Sequence, residues 1–213
     1  MAKTKGKKGD DHGGPADTSP PAPPRLRDKY RGEVAAAFAE KFGEKNRMAH
    51  PRLEKIVVNV NLGRFLEGNK LPAVKKDTTI ETLRKISGQK PVITYAKKSV
   101  SNFKVREGAE TAYMVTVRRD RMWQFLDRLI NLAIPRIKDF RGMSSSAFDK
   151  NGNYSMGLSE QGVFPEINMA EVDFTHGMNI NVVFRNSNPE KSRFVLEQMG
   201  FPFRKEEARK DKK

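Results

Sequence analysis

The chain has 213 residues and no cysteine, which excludes disulfides, thiolate metal sites and cysteine nucleophiles. Histidine is scarce too: His12, His50 and His176 are the whole set, and none has a partner at catalytic or metal-binding spacing. The acids Asp127, Asp139, Asp149, Glu160 and Glu166 form no metal-ligand cluster and read as helix, turn and ion-pair residues. Gly-x-Gly-x-x-Gly and P-loop signatures are missing, and Gly63 and Gly68 make no phosphate cradle. No segment approaches the roughly 18 apolar residues of a spanning helix. The first residues also lack the apolar stretch of a secretory signal. These absences point away from an enzyme, a metalloprotein or a membrane protein, and no cofactor or metal is expected.

What the chain has is positive charge. Lys and Arg number 41 against 26 Asp and Glu, a formal net charge of +15. Such a chain holds polyanions, and charge alone leaves RNA and DNA equally open inside the cell. Residues 1–24, rich in Lys, Gly, Asp, Ser and Pro, are expected to be a disordered extension. Residues 204–213 form a basic tail, and residues 25–203 are expected to be one domain.

Within that stretch the hydrophobic period switches repeatedly. Leu26, Tyr30, Val34, Phe38 and Phe42 recur every four residues as on a helix, and Gly43 supplies a stop. From Leu53 to Leu62 strict alternation replaces it: Ile56, Val58, Val60 and Leu62 face one way, Lys55, Val57, Asn59 and Asn61 the other. Pro72 suits the first turn of a helix with Ala73, Ile80, Leu83 and Ile86 as its apolar stripe, ending near Gly88. Strands follow around Val92–Thr94 and through Tyr113, Val115 and Val117. A helix then spans about Asp120 to Ala133, ended by Pro135, with Trp123 a core or flanking residue. Asn151-Gly152 marks a tight turn, after which Tyr154, Met156 and Leu158 alternate. Met178, Ile180, Val182 and Phe184 make a further strand, and Asn188-Pro189 opens a last helix stopped by Gly200. The expected fold is α+β: an antiparallel-rich sheet, helices packed on one face, and RNA on the opposite face.

Two features carry chemistry. The second face of the strands bears Asn59, Asn61, Thr116, Arg118, Asn179, Asn181 and Arg185. Asparagine is disfavoured in strands, but its amide can both donate to and accept from base edges, riboses and phosphates. Between Arg84 and Arg106 lie seven basic residues and no acidic one, with Tyr95 and Phe103 interleaved. Cations there can neutralise phosphates while a ring stacks on a base. An RNA-processing enzyme or RNA chaperone on a related sheet is a competing reading, which a missing catalytic constellation disfavours. A DNA-binding module is another, and it lacks a basic recognition helix.

The strings LEKIVVNV, SGQKPVITYAKKSV, FKVREG, RMWQFLDRLINLAIPRIKDFRGMS, FDKNGNYSMG, EQGVFPEI and GFPF, in this order, resemble large-subunit ribosomal protein five, the 5S rRNA-binding family of bacterial type. The resemblance spans about residues 25–205. It implies a structural component of the cytoplasmic ribosome that holds 5S rRNA in the central protuberance. Asn59, Gln89 and Thr116 match family contacts to 5S rRNA, and Lys55, Asn61, Lys90 and Arg118 are expected beside them. The loop with Lys97, Lys98, Ser99, Phe103, Lys104 and Arg106 is similar to the segment that reaches peptidyl-site tRNA. Arg136, Lys138 and Arg141, in RIKDFRG, fall where the family faces the small-subunit head protein across an intersubunit bridge. Implied partners also include 23S-type rRNA, large-subunit protein eighteen and other central protuberance proteins. The chain departs from the family pattern at Asn102 and Arg119, where glycine is common, at Asn179, where Asp is common, and at Phe184–Asn186, where threonines prevail.

Overall fold

The computed structural model describes residues 23–67 and 70–204. Residues 1–22, 68–69 and 205–213 lie outside the described residues, and with them nearly all of the expected extension and tail. Pro24 and Arg204 belong to the ordered body. The Pro24 carbonyl accepts the Arg27 and Asp28 N–H groups, and the Arg204 N–H donates to the Met143 carbonyl at 2.8 Å.

Five strands form the sheet: β1 (Arg52–Asn61), β2 (Val92–Tyr95), β3 (Glu110–Val117), β4 (Tyr154–Leu158) and β5 (Met178–Arg185). Their order is β2-β3-β1-β5-β4, and every neighbouring pair is antiparallel. β1 is central because alternation gives it one wholly apolar face. Ile56, Val58 and Val60 are fully buried, as are their cross-strand partners Tyr113, Val115, Val117, Ile180 and Val182. Each such side chain contributes about 1.5–3 kcal/mol. A bulge at Glu54 lets Leu53 pair with Phe184 and Lys55 with Val183, so Leu53 also reaches the buried side.

The helices cover that buried face. α1 (Arg25–Lys29) and α2 (Ala35–Phe42) are joined by a π turn at Tyr30–Val34. Apolar residues spaced by four drift around a 3.6-residue helix, and the wider turn corrects the drift. Gly43 then ends α2 with φ +69°. α3 (Ala73–Ser87) differs from expectation at its start: Pro72 is the residue before the helix, and Ala73 is exposed. Thr79 and Thr82 are buried alongside Leu83 and Ile86, and the Thr79 hydroxyl is satisfied by donating to the Lys75 carbonyl at 2.8 Å. α4 (Arg119–Arg128) runs on through a π turn, Leu129–Ala133, into a 3-10 turn, Ile134–Arg136, so Pro135 sits inside the last turn instead of ending the helix before it. Arg119 has φ +55°, which explains why a glycine suits this position.

α5 (Pro189–Gln198) is capped by the Asn188 side chain, which accepts the Lys191 N–H at 2.8 Å. The Asn151-Gly152 turn packs directly beneath this cap. Gly152 has φ +77°, and a Cβ there would lie 2.7 Å from the Asn188 carbonyl oxygen. Gly152→Ala is therefore expected to destabilise the fold by at least about 2 kcal/mol, from a left-handed backbone plus a clash with main chain. Urea denaturation checks this, with Gly108→Ala, a positive-φ site in open space, as the milder control.

Candidate nucleic-acid interface

Because side chains alternate, burial of one sheet face turns the other residues of β1, β3 and β5 outward. Cross-strand register sorts them into rows. Gly157, Asn179, Asn59, Met114 and Val92 form one row, and Ser155, Asn181, Val57 and Thr116 form the next. Asn59 and Thr116 are thus diagonal neighbours, about 7–8 Å apart in an antiparallel pair. Lys55 lies level with Val183 farther along the same face. Gln89, half-buried, and Lys90, exposed, lead into β2 from the end nearest Thr116.

The amides on this face are available. Asn59, Asn179 and Asn181 make no side-chain hydrogen bond among the described residues. Asn61 differs: its Oδ1 accepts the Gly63 N–H at 2.9 Å, which leaves only its amide NH2 to donate outward. Glu110, at the start of β3, is drawn to the helical side. Its carboxylate pairs with Lys76 at 2.9 Å and accepts from the Tyr113 hydroxyl at 3.0 Å. The Lys76 hydrogen bond holds the Glu110 carboxyl below the usual carboxylate range. At one end of the face a hollow of about 360 Å³ is bounded by Asn59, Asn61, Asn179, Arg64 and Phe65. Arg64 was not singled out from sequence; only its place just after β1 marks it. At the other end the amides give way to Arg118 and Arg185, both exposed, and Arg118 reaches Glu54 only at 4.0 Å.

The basic loop is the connection between β2 and β3. It is built: Val100 and Val105 exchange two backbone hydrogen bonds, and Ser101–Phe103 make a 3-10 turn ended by Lys104 at φ +52°. Ser99 holds the loop, since its hydroxyl accepts the Glu107 N–H at 2.9 Å. Lys97, Lys98, Lys104 and Arg106 are exposed around it, and Phe103 stands 75% exposed at its tip. That is a costly place for an isolated ring and a useful one for stacking. Arg136, Lys138 and Arg141 are also exposed, after α4; Arg136 and Lys138 border a hollow with Gly157 at the β4 edge of the sheet, and Lys138 is 3.9 Å from Glu160. The predicted residues thus fall on the open face, on the β2–β3 loop and on the segment after α4, the last bordering the β4 edge of the sheet.

The family model described as Ribosomal protein L5 matches residues 46–106, and the companion model for the C-terminus of the same ribosomal family matches residues 110–203. The large ribosomal subunit protein uL5 of Carboxydothermus hydrogenoformans is 48% identical over 180 residues, covering 84% of this chain and 98% of that protein. The uL5 protein of Leifsonia xyli is 49% identical over 185 residues, 87% of this chain and 93% of its own. This chain belongs to the ribosomal protein L5 family. Members of that family are structural components of the large ribosomal subunit, so the chain is a ribosomal RNA-binding protein of translation and not an enzyme. The two matched segments meet in the β2–β3 loop, yet strands from both pair in one sheet.

Among the described residues no group of three His, Asp or Glu could hold a metal ion, and no helix is long and apolar enough to cross a membrane. His50 and His176 are loop histidines as expected, but both are buried. His176 Nδ1 faces the Gly177 carbonyl at 3.2 Å while Nε2 has no partner. Burial pushes the His176 imidazole below its ordinary value of 6.5, the nearby Gly177 carbonyl opposing this only in part. A depressed folded pKa means that the unfolded chain takes up the proton first. Stability is then full above pH 6.5 and falls as the pH drops below it. Replacing His176 by Gln is expected to flatten this acid limb, as measured by urea midpoints between neutral and mildly acidic pH.

Proposed function

We propose that the open sheet face holds 5S rRNA in the central protuberance of the large subunit. Asn59, Asn61, Gln89 and Thr116 would provide polar contacts, and Lys55, Lys90 and Arg118 would lie against phosphates. The observation that carries this reading is the pair of amide rows, uncapped and free of acids, on an otherwise ordinary antiparallel sheet. Folded RNA is read by shape, phosphates and ribose hydroxyls, for which side chains that both donate and accept are well suited. The basic β2–β3 loop would reach peptidyl-site tRNA, with Phe103 stacking and Lys97, Lys98, Lys104 and Arg106 meeting phosphates. Ser99 would join them in contact while also tying the loop to Glu107. Arg136, Lys138 and Arg141 would take part in an intersubunit bridge to a small-subunit head protein. 23S-type rRNA and large-subunit protein eighteen would be its other central protuberance partners.

Asn59→Ala combined with Thr116→Ala is expected to weaken 5S rRNA binding at least tenfold at fixed salt. Each lost hydrogen bond to a charged or polar partner removes about 1 kcal/mol or more. Neither side chain is buried among apolar residues, so the thermal midpoint should hold. Filter binding at several salt concentrations measures this, and unchanged affinity would remove the sheet face from the assignment. Lys97→Ala with Lys98→Ala is expected to spare 5S rRNA affinity while slowing peptide synthesis by reconstituted ribosomes. The opposite pattern would place the loop on the rRNA side.

A further inference from the structure

A cleft of about 420 Å³ opens where the N-terminal helical segment meets the start of β1, at the opposite end of that strand from Asn59 and Asn61. The N-terminal helical segment contributes Arg27, Tyr30 and Arg31, the following connection contributes Arg47, the start of β1 contributes Arg52, and α4 contributes Trp123. Four guanidinium groups and no carboxylate line it. Only Arg27 is neutralised, by Asp120 and by Asp28 at 3.8 Å, and its Nε is buried without a hydrogen-bond partner. Arg31 and Arg47 have no partner among the described residues. Arg52 donates to the Met48 sulfur at 2.8 Å, a weak acceptor for a cation, and it stands opposite Arg185 in the β1–β5 register. Like charges directly across a sheet repel, so this end of β1 is assembled against its own electrostatics.

We propose that this cleft binds RNA phosphate backbone, at nucleotides other than those that meet the amide rows. Guanidinium forks match phosphate oxygens two at a time, and convergence of several without a carboxylate favours a polyanion over a single ion. The cleft wall formed by Tyr30 and Trp123, whose rings sit 5.4 Å apart, gives a ribose or base something flat to lie against. RNA is the polyanion that a ribosomal protein meets on all sides. Along β1, at about 3.3 Å per residue, Arg52 of the cleft is roughly 20 Å from Asn59, too far for one nucleotide to touch both, while Lys55 lies between them, about 10 Å from Arg52.

The test exploits the fact that Trp123 is the only tryptophan in the chain. The full-length protein is titrated with a short single-stranded oligouridylate while tryptophan emission is followed. Binding is expected to quench emission. Arg31→Gln with Arg47→Gln should weaken binding at least tenfold, and each lost phosphate contact should lower the salt slope by roughly 0.7. Both arginines are exposed and unpartnered among the described residues, so this variant should fold as the parent does, which circular dichroism checks. Asn59→Ala with Thr116→Ala should leave the titration unchanged, so failure of the 5S rRNA reading would not be mistaken for failure of this one. Emission that ignores the oligonucleotide, or a double-arginine variant with parental affinity, overturns the proposal. So does tighter quenching by polyglutamate of matched charge, which would make the cleft a site for an acidic protein.

Discussion

Ile56, Val58 and Val60, on the buried face of β1, are closed off by helices on one side of the sheet and flanked by β3 and β5 on both edges. The rest of the molecule depends on that burial. With a side-chain period of two, it dictates where Lys55, Val57, Asn59 and Asn61 must point. A slip of one residue would bury two amides and expose three aliphatic side chains. The hydrophobic cost of that exchange fixes the register more firmly than any hydrogen bond on the open face could. The proposed binding surface is positioned by the core beneath it.

Much of this is legible in the sequence because it is periodic. Alternation in β1, β3 and β5 assigns each residue to a face, and the spacing of Phe125, Leu126, Leu129 and Ile130 places α4. What escapes is non-periodic or brought together by tertiary structure. The bulge at Glu54 inserts one residue without any glycine or proline to announce it. Thr79 and Thr82 stand four residues before Leu83 and Ile86, on the same face of α3, but as polar residues they do not announce their burial, and a helix carbonyl satisfies the Thr79 hydroxyl locally. Pro135 reads as a stop, but a proline that opens a tighter turn costs the helix little there. Ser99, expected as a contact residue, also ties the loop by accepting the Glu107 N–H, a role no local pattern announces. The arginine-lined cleft draws on residues between 27 and 123, and no local pattern could have assembled it.

As candidate RNA surfaces, the sheet face and the cleft differ in kind. The sheet face offers amides in rows at fixed height, a rigid template whose contacts can set position. The cleft offers guanidinium groups on longer side chains, with strong attraction and looser geometry. A protein that must both find its place and stay there has use for each. The division follows from the fold, because a flat sheet presents short side chains in register while a helix–strand junction gathers long ones.

The central place of β1 also has a consequence in time. Its partner strand β5 is encoded near the end of the chain, so Asn59 meets Asn179 only after most of the polypeptide has left the tunnel in which it is made. Until then β1 has an open edge and an uncovered apolar face, and long-range pairing of this sort is slow. The amide rows are thus completed late in synthesis, and an unfinished chain that lacks β5 does not present them intact.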